Sequence, residues 1–197
     1  KPVTIKALKT YDPARYAALS WANPMPLTDA RNCEKVAADS ARDTENGLAW
    51  DIFSQVGALL KSRSPTNPLR GLAVERQYLT GYSQSSNYLL TYINAVHPQA
   101  RLARGAPVWD GYLLAGGPVG RGGTPINQCV TTALGGMAGT QQLDLRTTDV
   151  PVIDVLGAMD VIGMITTLDG RREDSDAADD RFRRYEVPGG SHSWLQQ

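Results

Sequence analysis

The chain has 197 residues, 42% of them hydrophobic and 20% charged. That composition suits a globular fold with an apolar core and argues against disorder. Its 20 Lys and Arg balance its 20 Asp and Glu, so no charge excess draws it to nucleic acid or an anionic membrane, and the expected partner is a small or neutral molecule.

Val3 to Leu8 alternates weakly, with Val3, Ile5 and Ala7 on one side, which predicts a strand. Residues 11–43 carry Pro13, Pro24 and Pro26 and read as mostly irregular, with a short helix over Asn32 to Ala38. A longer helix is predicted from Thr44. Thr44 suits an N-cap, Glu45 falls in the first turn, and Leu48, Ile52, Val56 and Leu59 recur on one face. It should end near Ser62, ahead of the loop Ser64-Pro65-Thr66-Asn67-Pro68.

Val74 to Thr80 reads as a strand, and Gly81-Tyr82-Ser83-Gln84-Ser85-Ser86 follows it. A second helix comes next, with Leu89, Ile93 and Val96 on one face, and His97-Pro98 stops it. Val108 to Ala115 reads as a strand leading into the glycine loop Gly116 to Gly123. That loop lacks the Gly-Lys-Ser/Thr ending of a phosphate-binding loop. Placed after a strand's carboxyl end, it is expected to line or cover a site. Pro151 to Leu156 is the most apolar strand-like run, and Arg183 to Val187 is a shorter strand before Pro188-Gly189-Gly190. Between them, Arg171 to Arg184 reads as a solvated loop or helix face. Strands separated by helices imply βαβ units and an α/β fold with a largely parallel sheet.

No membrane span is expected. The longest apolar run, Val150 to Ile165, is broken by Asp154 and Asp160 before the roughly 18 residues a span needs. Cys33 and Cys129 lack the close pairing of a zinc or redox motif, leaving two readings open: a disulfide in an exported protein, or two buried thiols. A secreted or periplasmic location is slightly favoured over the cytoplasm. Asp174-Ser175-Asp176 does not match an EF-hand loop, so no metal site is expected. The first residue is Lys1 rather than Met, which points to a segment removed from, or lying upstream of, this chain.

The chemistry concentrates around Ser83. Gly81-Tyr82-Ser83-Gln84 sits between a strand and a helix, the context of a nucleophile elbow. Such a turn strains the serine backbone, exposes the hydroxyl and aims helical N–H groups at the same point. Gly81 lets strand and helix approach, and Ser85 holds the position usually given to glycine. The Gln84 N–H would donate to the oxyanion of a tetrahedral intermediate. A serine hydroxyl needs a base, and the chain has two histidines. His97 ends the helix that begins at the elbow and reads as a surface C-cap residue. His192 follows the last strand on a flexible loop and can fold back over the sheet edge. The chain order serine, acid, histidine then calls for an aspartate between them. Asp160, three residues beyond Gly157 at a strand's carboxyl end, is the choice; Asp154 is mid-strand and weaker, and Asp174 and Asp176 belong to the solvated stretch. Trp109 and Trp194 read either as pocket walls or as core residues.

Asp51-Ile52-Phe53-Ser54-Gln55, Gly81-Tyr82-Ser83-Gln84-Ser85, Thr91-Tyr92-Ile93-Asn94-Ala95 and Phe182-Arg183-Arg184-Tyr185-Glu186-Val187-Pro188-Gly189 resemble the bacterial alpha/beta hydrolase domain family of esterase-like proteins. The resemblance runs from about Thr44 to His192. It implies an α/β-hydrolase fold with Ser83 and His192 in a triad. Ser86 stands where the family tends to carry glycine, which should crowd the elbow slightly. Ala158 stands where relatives often carry Glu in a Glu-x-Asp segment, leaving Asp160 as the available acid. Relatives also carry further strands before this region, so the chain is expected to be the central and C-terminal part of a larger enzyme. Another chain or an upstream segment should then complete its sheet. The first oxyanion donor, which normally comes from the loop after the third strand, is not found in these residues.

The reading that follows is a serine hydrolase cleaving small-molecule carboxylic esters, needing no cofactor, with Ser83 as nucleophile, His192 as base, Asp160 as the orienting acid and Gln84 in the oxyanion hole. The alternatives are an inactive hydrolase-like binding protein, and an amidase or thioesterase with the same machinery.

Overall fold

A computed structural model describes residues 5–25, 28–29, 32, 44–117, 124, 126–127, 129, 145–165 and 172–192. The chain forms two compact units, Lys1–Leu48 with Asn127–Val130, and Ala49–Ile126 with Thr131–Gln197.

The smaller unit is helical where a strand was expected. Helix α1 spans Ile5–Tyr11 and the single-turn α2 spans Pro13–Tyr16. Asp12 caps α2 by accepting the Arg15 N–H at 3.0 Å, and Pro13 takes the first helical position, where a missing N–H costs nothing. The weak alternation seen at Ile5 and Ala7 does not become a strand: Ile5–Tyr11 is helical, and among the described residues no strand pairs with it. A bridge joins Ala22 to Thr44, and the Glu45 N–H donates to Trp21 O at 2.7 Å. Thr44 is therefore tied into pairing rather than capping a helix. Cys129 is disulfide-bonded; Cys33, the other cysteine, and most of the helix expected over Asn32 to Ala38 lie outside the described residues.

The larger unit is an α/β fold around a five-stranded sheet of order β1-β2-β3-β5-β4. Helix α3 spans Leu48–Lys61, β1 Leu79–Tyr82, α4 Gln84–Thr91, β2 Tyr112–Ala115, β3 Val152–Gly157, α5 Ala158–Ile165, β4 Ser175–Ala177 and β5 Asp180–Val187. The pairs β1–β2, β2–β3 and β3–β5 are parallel, and β4 joins β5 antiparallel. Parallel pairing puts the carboxyl ends of β1, β2, β3 and β5 on one side, where open α/β sheets hold their ligands. Strand β1 forms one edge. No helix among the described residues is long and apolar enough to cross a membrane.

Packing altered three local expectations. In α3 the buried residues are Trp50 and Gly57, whereas Ile52 and Val56 are exposed. The helix carries apolar side chains on more than one face, and the Ser54 hydroxyl bond to Tyr92 Oη at 2.8 Å helps choose which face turns inward. Strand β1 is shorter than the Val74 to Thr80 run. Ahead of Leu79 the chain bonds to Asp110 instead, with Gln77 N–H donating to the Asp110 carboxylate and Asp110 N–H to Gln77 O, both at 2.8 Å. The charged stretch before β5 contains β4 rather than only a loop or helix face. Asp176 pairs across the hairpin with Arg183, whose guanidinium also donates to Ser175 O.

His97 is the clearest reversal. It is 2% exposed, not a surface cap. Its Nδ1 lies 2.8 Å from Tyr112 Oη and its Nε2 2.6 Å from Asp149 Oδ1, and Arg101 holds the other Asp149 oxygen at 2.6 Å. The arrangement that satisfies all these groups has Tyr112 O–H donating to Nδ1 and Nε2–H donating to Asp149. Burial lowers the His97 pKa against the opposing pull of Asp149, and burial raises that of Tyr112, so both shifts favour this neutral pairing. A depressed folded-state value means the unfolded chain binds the proton more readily. The stability from this pairing is then complete above the ordinary histidine value of 6.5 and is lost as pH falls below it. His97→Gln should cost about 1–3 kcal/mol at pH 7.5. That difference from wild type should shrink towards pH 5 in urea-unfolding measurements.

Candidate active site

Strand β1 runs straight into Ser83, whose φ of 54° and ψ of −122° lie in a region that side-chain-bearing residues rarely occupy. Such geometry costs on the order of 1–3 kcal/mol and persists only where the surroundings enforce it. Ser83 N–H donates to Ala115 O at 2.8 Å, and Ser86 N–H donates back to Ser83 O at 2.9 Å. Gly81 meets its expected role: a Cβ there would stand 2.6 Å from Ser85 O. Gln84 is the first residue of α4, so its N–H is among those with no partner inside the helix.

Ser86 does not crowd this turn. It is fully buried, and its Oγ lies 2.8 Å from Gly81 O and 2.9 Å from Ala115 O while accepting the Ala115 N–H at 3.2 Å. The hydroxyl thus ties the first turn of α4 to both β1 and β2. The sequence offered only a serine in a serine run, because the carbonyls that it joins lie 5 and 29 residues away.

Asp160 falls in the first turn of α5, directly after β3, and is 2% exposed. One carboxylate oxygen accepts the Gly157 N–H at 2.8 Å. The loop after β5 crosses Gly157 so closely that a Cβ there would stand 2.8 Å from Ser191 O. This approach brings His192 over the end of β3. His192 Nδ1 lies 2.6 Å from the second Asp160 oxygen and its Nε2 lies 2.7 Å from Ser83 Oγ. Residues 83, 160 and 192 therefore form one unbroken hydrogen-bonded line.

Asp154 stays out of that line. It is buried in β3 opposite Arg184 of β5, whose Nε donates to it at 2.9 Å. Burial raises the Asp154 pKa to about 6 despite the guanidinium. Asp174 and Asp176 sit with the β4–β5 hairpin, where Asp174 accepts the Arg184 N–H at 3.0 Å. Trp109 belongs to the core, and Trp194 and most of the loop 116–123 lie outside the described residues. Beside the elbow, an apolar cleft of about 350 Å³ is walled by Trp50 and Phe53 of α3, Thr80 of β1, and Ser85, Tyr88 and Leu89 of α4. Among the described residues, no group of three or more His, Cys, Asp or Glu is placed to hold a metal ion.

A family model described as Alpha/beta hydrolase domain matches residues 1–197. The chain belongs to that family. Comparison of this hydrolase with curated proteins and with solved structures found no match in either. The mostly parallel sheet and its helices agree with the family's α/β fold.

The bridging role of Ser86 in this hydrolase has a direct consequence. Ser86→Ala should lower stability by about 1–3 kcal/mol, because buried polar groups of β1 and β2 lose a partner. Chemical denaturation at neutral pH measures it.

Proposed function

We propose that this hydrolase cleaves carboxylic esters through Ser83, His192 and Asp160. The hydrogen-bonded line from Ser83 Oγ through both imidazole nitrogens to the buried Asp160 carboxylate carries the reading. Both bonds fall within the reach that proton transfer requires. His192 Nε2 takes the Ser83 proton as the oxygen attacks the ester carbonyl carbon. Asp160 accepts from Nδ1–H, fixing the tautomer and stabilising the imidazolium. The oxyanion of the tetrahedral intermediate receives the Gln84 N–H, and the fold's second donor is expected from the loop after its third strand. Collapse expels the alcohol, which takes the proton from His192, and leaves an acyl group on Ser83. Water, deprotonated by the same imidazole, then releases the acid and restores the serine.

A disulfide at Cys129 fits an exported protein, where oxidising surroundings preserve it.

A fluorophosphonate probe should label Ser83, with mass spectrometry placing the adduct on that residue. Absence of labelling would favour a hydrolase-like binding protein instead. Ser83→Ala should abolish hydrolysis of short-chain p-nitrophenyl esters and leave the thermal midpoint nearly unchanged. Labelling without ester turnover would redirect the assignment to amides or thioesters. Asp160→Asn should cost on the order of 10⁴-fold in turnover, because an amide favours the wrong imidazole tautomer. The same change at Asp174 should leave turnover near wild type, and steady-state kinetics compares the two.

A further inference from the structure

His192 stands on the glycine-containing segment Pro188-Gly189-Gly190-Ser191, and its side chain is 44% exposed. Hydrogen bonds hold it at the two ring nitrogens, one to Asp160 and one to Ser83. Both contacts act at the ring edge. Neither bond bears on a ring face, so a contact on a face adds to the side chain's own torsions in resisting a rocking of the imidazole about the line through its nitrogens.

Tyr82 makes such a contact. Its ring centroid lies 5.4 Å from that of His192 with the planes 27° apart, an offset stack within the usual range for aromatic pairs. Tyr82 is itself fixed, as the last residue of β1, paired with Ala115 of β2. Beneath the two rings lies Gly116, the residue after β2. A Cβ on Gly116 would stand 2.8 Å from the Tyr82 ring and 3.4 Å from His192 Cε1, and its φ of 61° also favours glycine. The missing side chain leaves a slot that the phenol ring and the imidazole edge share. Tyr82 is 36% exposed and is not part of the hydrophobic core cluster, so core packing does not account for a large aromatic at this position.

We propose that Tyr82 is a positioning residue whose ring holds the His192 imidazole in the plane that reaches Ser83 and Asp160 together. For its effect on turnover the proposal rests on the ester-hydrolase reading; for the orientation of His192 it does not. The ring acts here, not the hydroxyl, so Phe should substitute and an aliphatic residue should not.

The experiment compares Tyr82→Leu and Tyr82→Phe by steady-state kinetics on p-nitrophenyl acetate. Thermal unfolding and the low-field proton NMR signal of the His192 Nδ1–H bonded to Asp160 are followed in parallel. Tyr82→Leu should lower kcat by on the order of ten- to a hundredfold, the usual effect of a small misplacement. KM and the thermal midpoint should change little, and the low-field signal should broaden through exchange with water. Tyr82→Phe should keep most of kcat and a sharp signal. Wild-type kcat and a sharp signal in Tyr82→Leu would overturn the proposal, as would equal damage from Tyr82→Phe or a rise in KM alone. Should Tyr82→Leu fail to fold, Tyr82→Met takes its place under the same criteria. Should the wild type hydrolyse no ester, the ester reading fails there, and the NMR signal alone still decides the role of Tyr82.

Discussion

The backbone of Ser83 is the constraint on which the rest of the site depends. A non-glycine residue at φ 54° holds its conformation only because its neighbours allow no other. The Ser83 N–H is committed to Ala115 of β2, its carbonyl to Ser86, and the Ser86 hydroxyl to both strands. The strain therefore rests on the pairing of β1 with β2, not on the turn alone. Relaxing the turn would swing the hydroxyl away from His192 and redirect the Gln84 N–H. Sheet, helix start and hydroxyl placement form one mechanical unit.

The parallel pairing then brings the remaining groups to the same side. Ser83 follows β1, Gly116 follows β2, Asp160 begins the helix after β3, and His192 comes from the loop after β5. None of these residues needs a long excursion to reach the others. The closest passage is that of the 190–191 backbone over Gly157, where any side chain would force the histidine loop away from Asp160. A buried carboxylate that accepts both a backbone N–H and an imidazole N–H keeps its orientation without solvent.

Other buried polar groups serve the scaffold. Asp154 and Arg184 pair across β3 and β5, and His97 links Tyr112, the first residue of β2, to Asp149 just ahead of β3. Each bond is satisfied only when the strands hold their observed register, since a one-residue slip would turn these side chains to the opposite face. The two histidines thus lie near opposite ends of the sheet. One is buried and neutral and secures the strands where they begin; the other is nearly half-exposed and stands where they end.

Local patterns in the sequence determined the elbow, the strand β3, the alternation of strands with helices and the residues Ser83, Asp160 and His192 as the set to examine. Those signals lie within a few neighbouring residues: a glycine before the serine, a largely apolar run, an aspartate just beyond a strand's end. Tertiary structure decided everything that depends on a distant partner. It made Ile5–Tyr11 a helix, and it began β1 only at Leu79 and β2 only at Tyr112, where the two strands find each other as ladder neighbours. It chose Trp50 and Gly57 over Ile52 and Val56 as the inner face of α3. It buried His97 against an aspartate 52 residues away and gave Ser86 two carbonyls to join. Chain order and strand ends favoured Asp160 over Asp154, but only the crossing of Gly157 by the last loop sets one carboxylate against His192 and leaves the other against Arg184. The physical reason is common to all of these. Backbone propensity and apolar periodicity are written locally, whereas hydrogen-bond partners and packing faces are selected by whatever the fold brings within 3 to 4 Å.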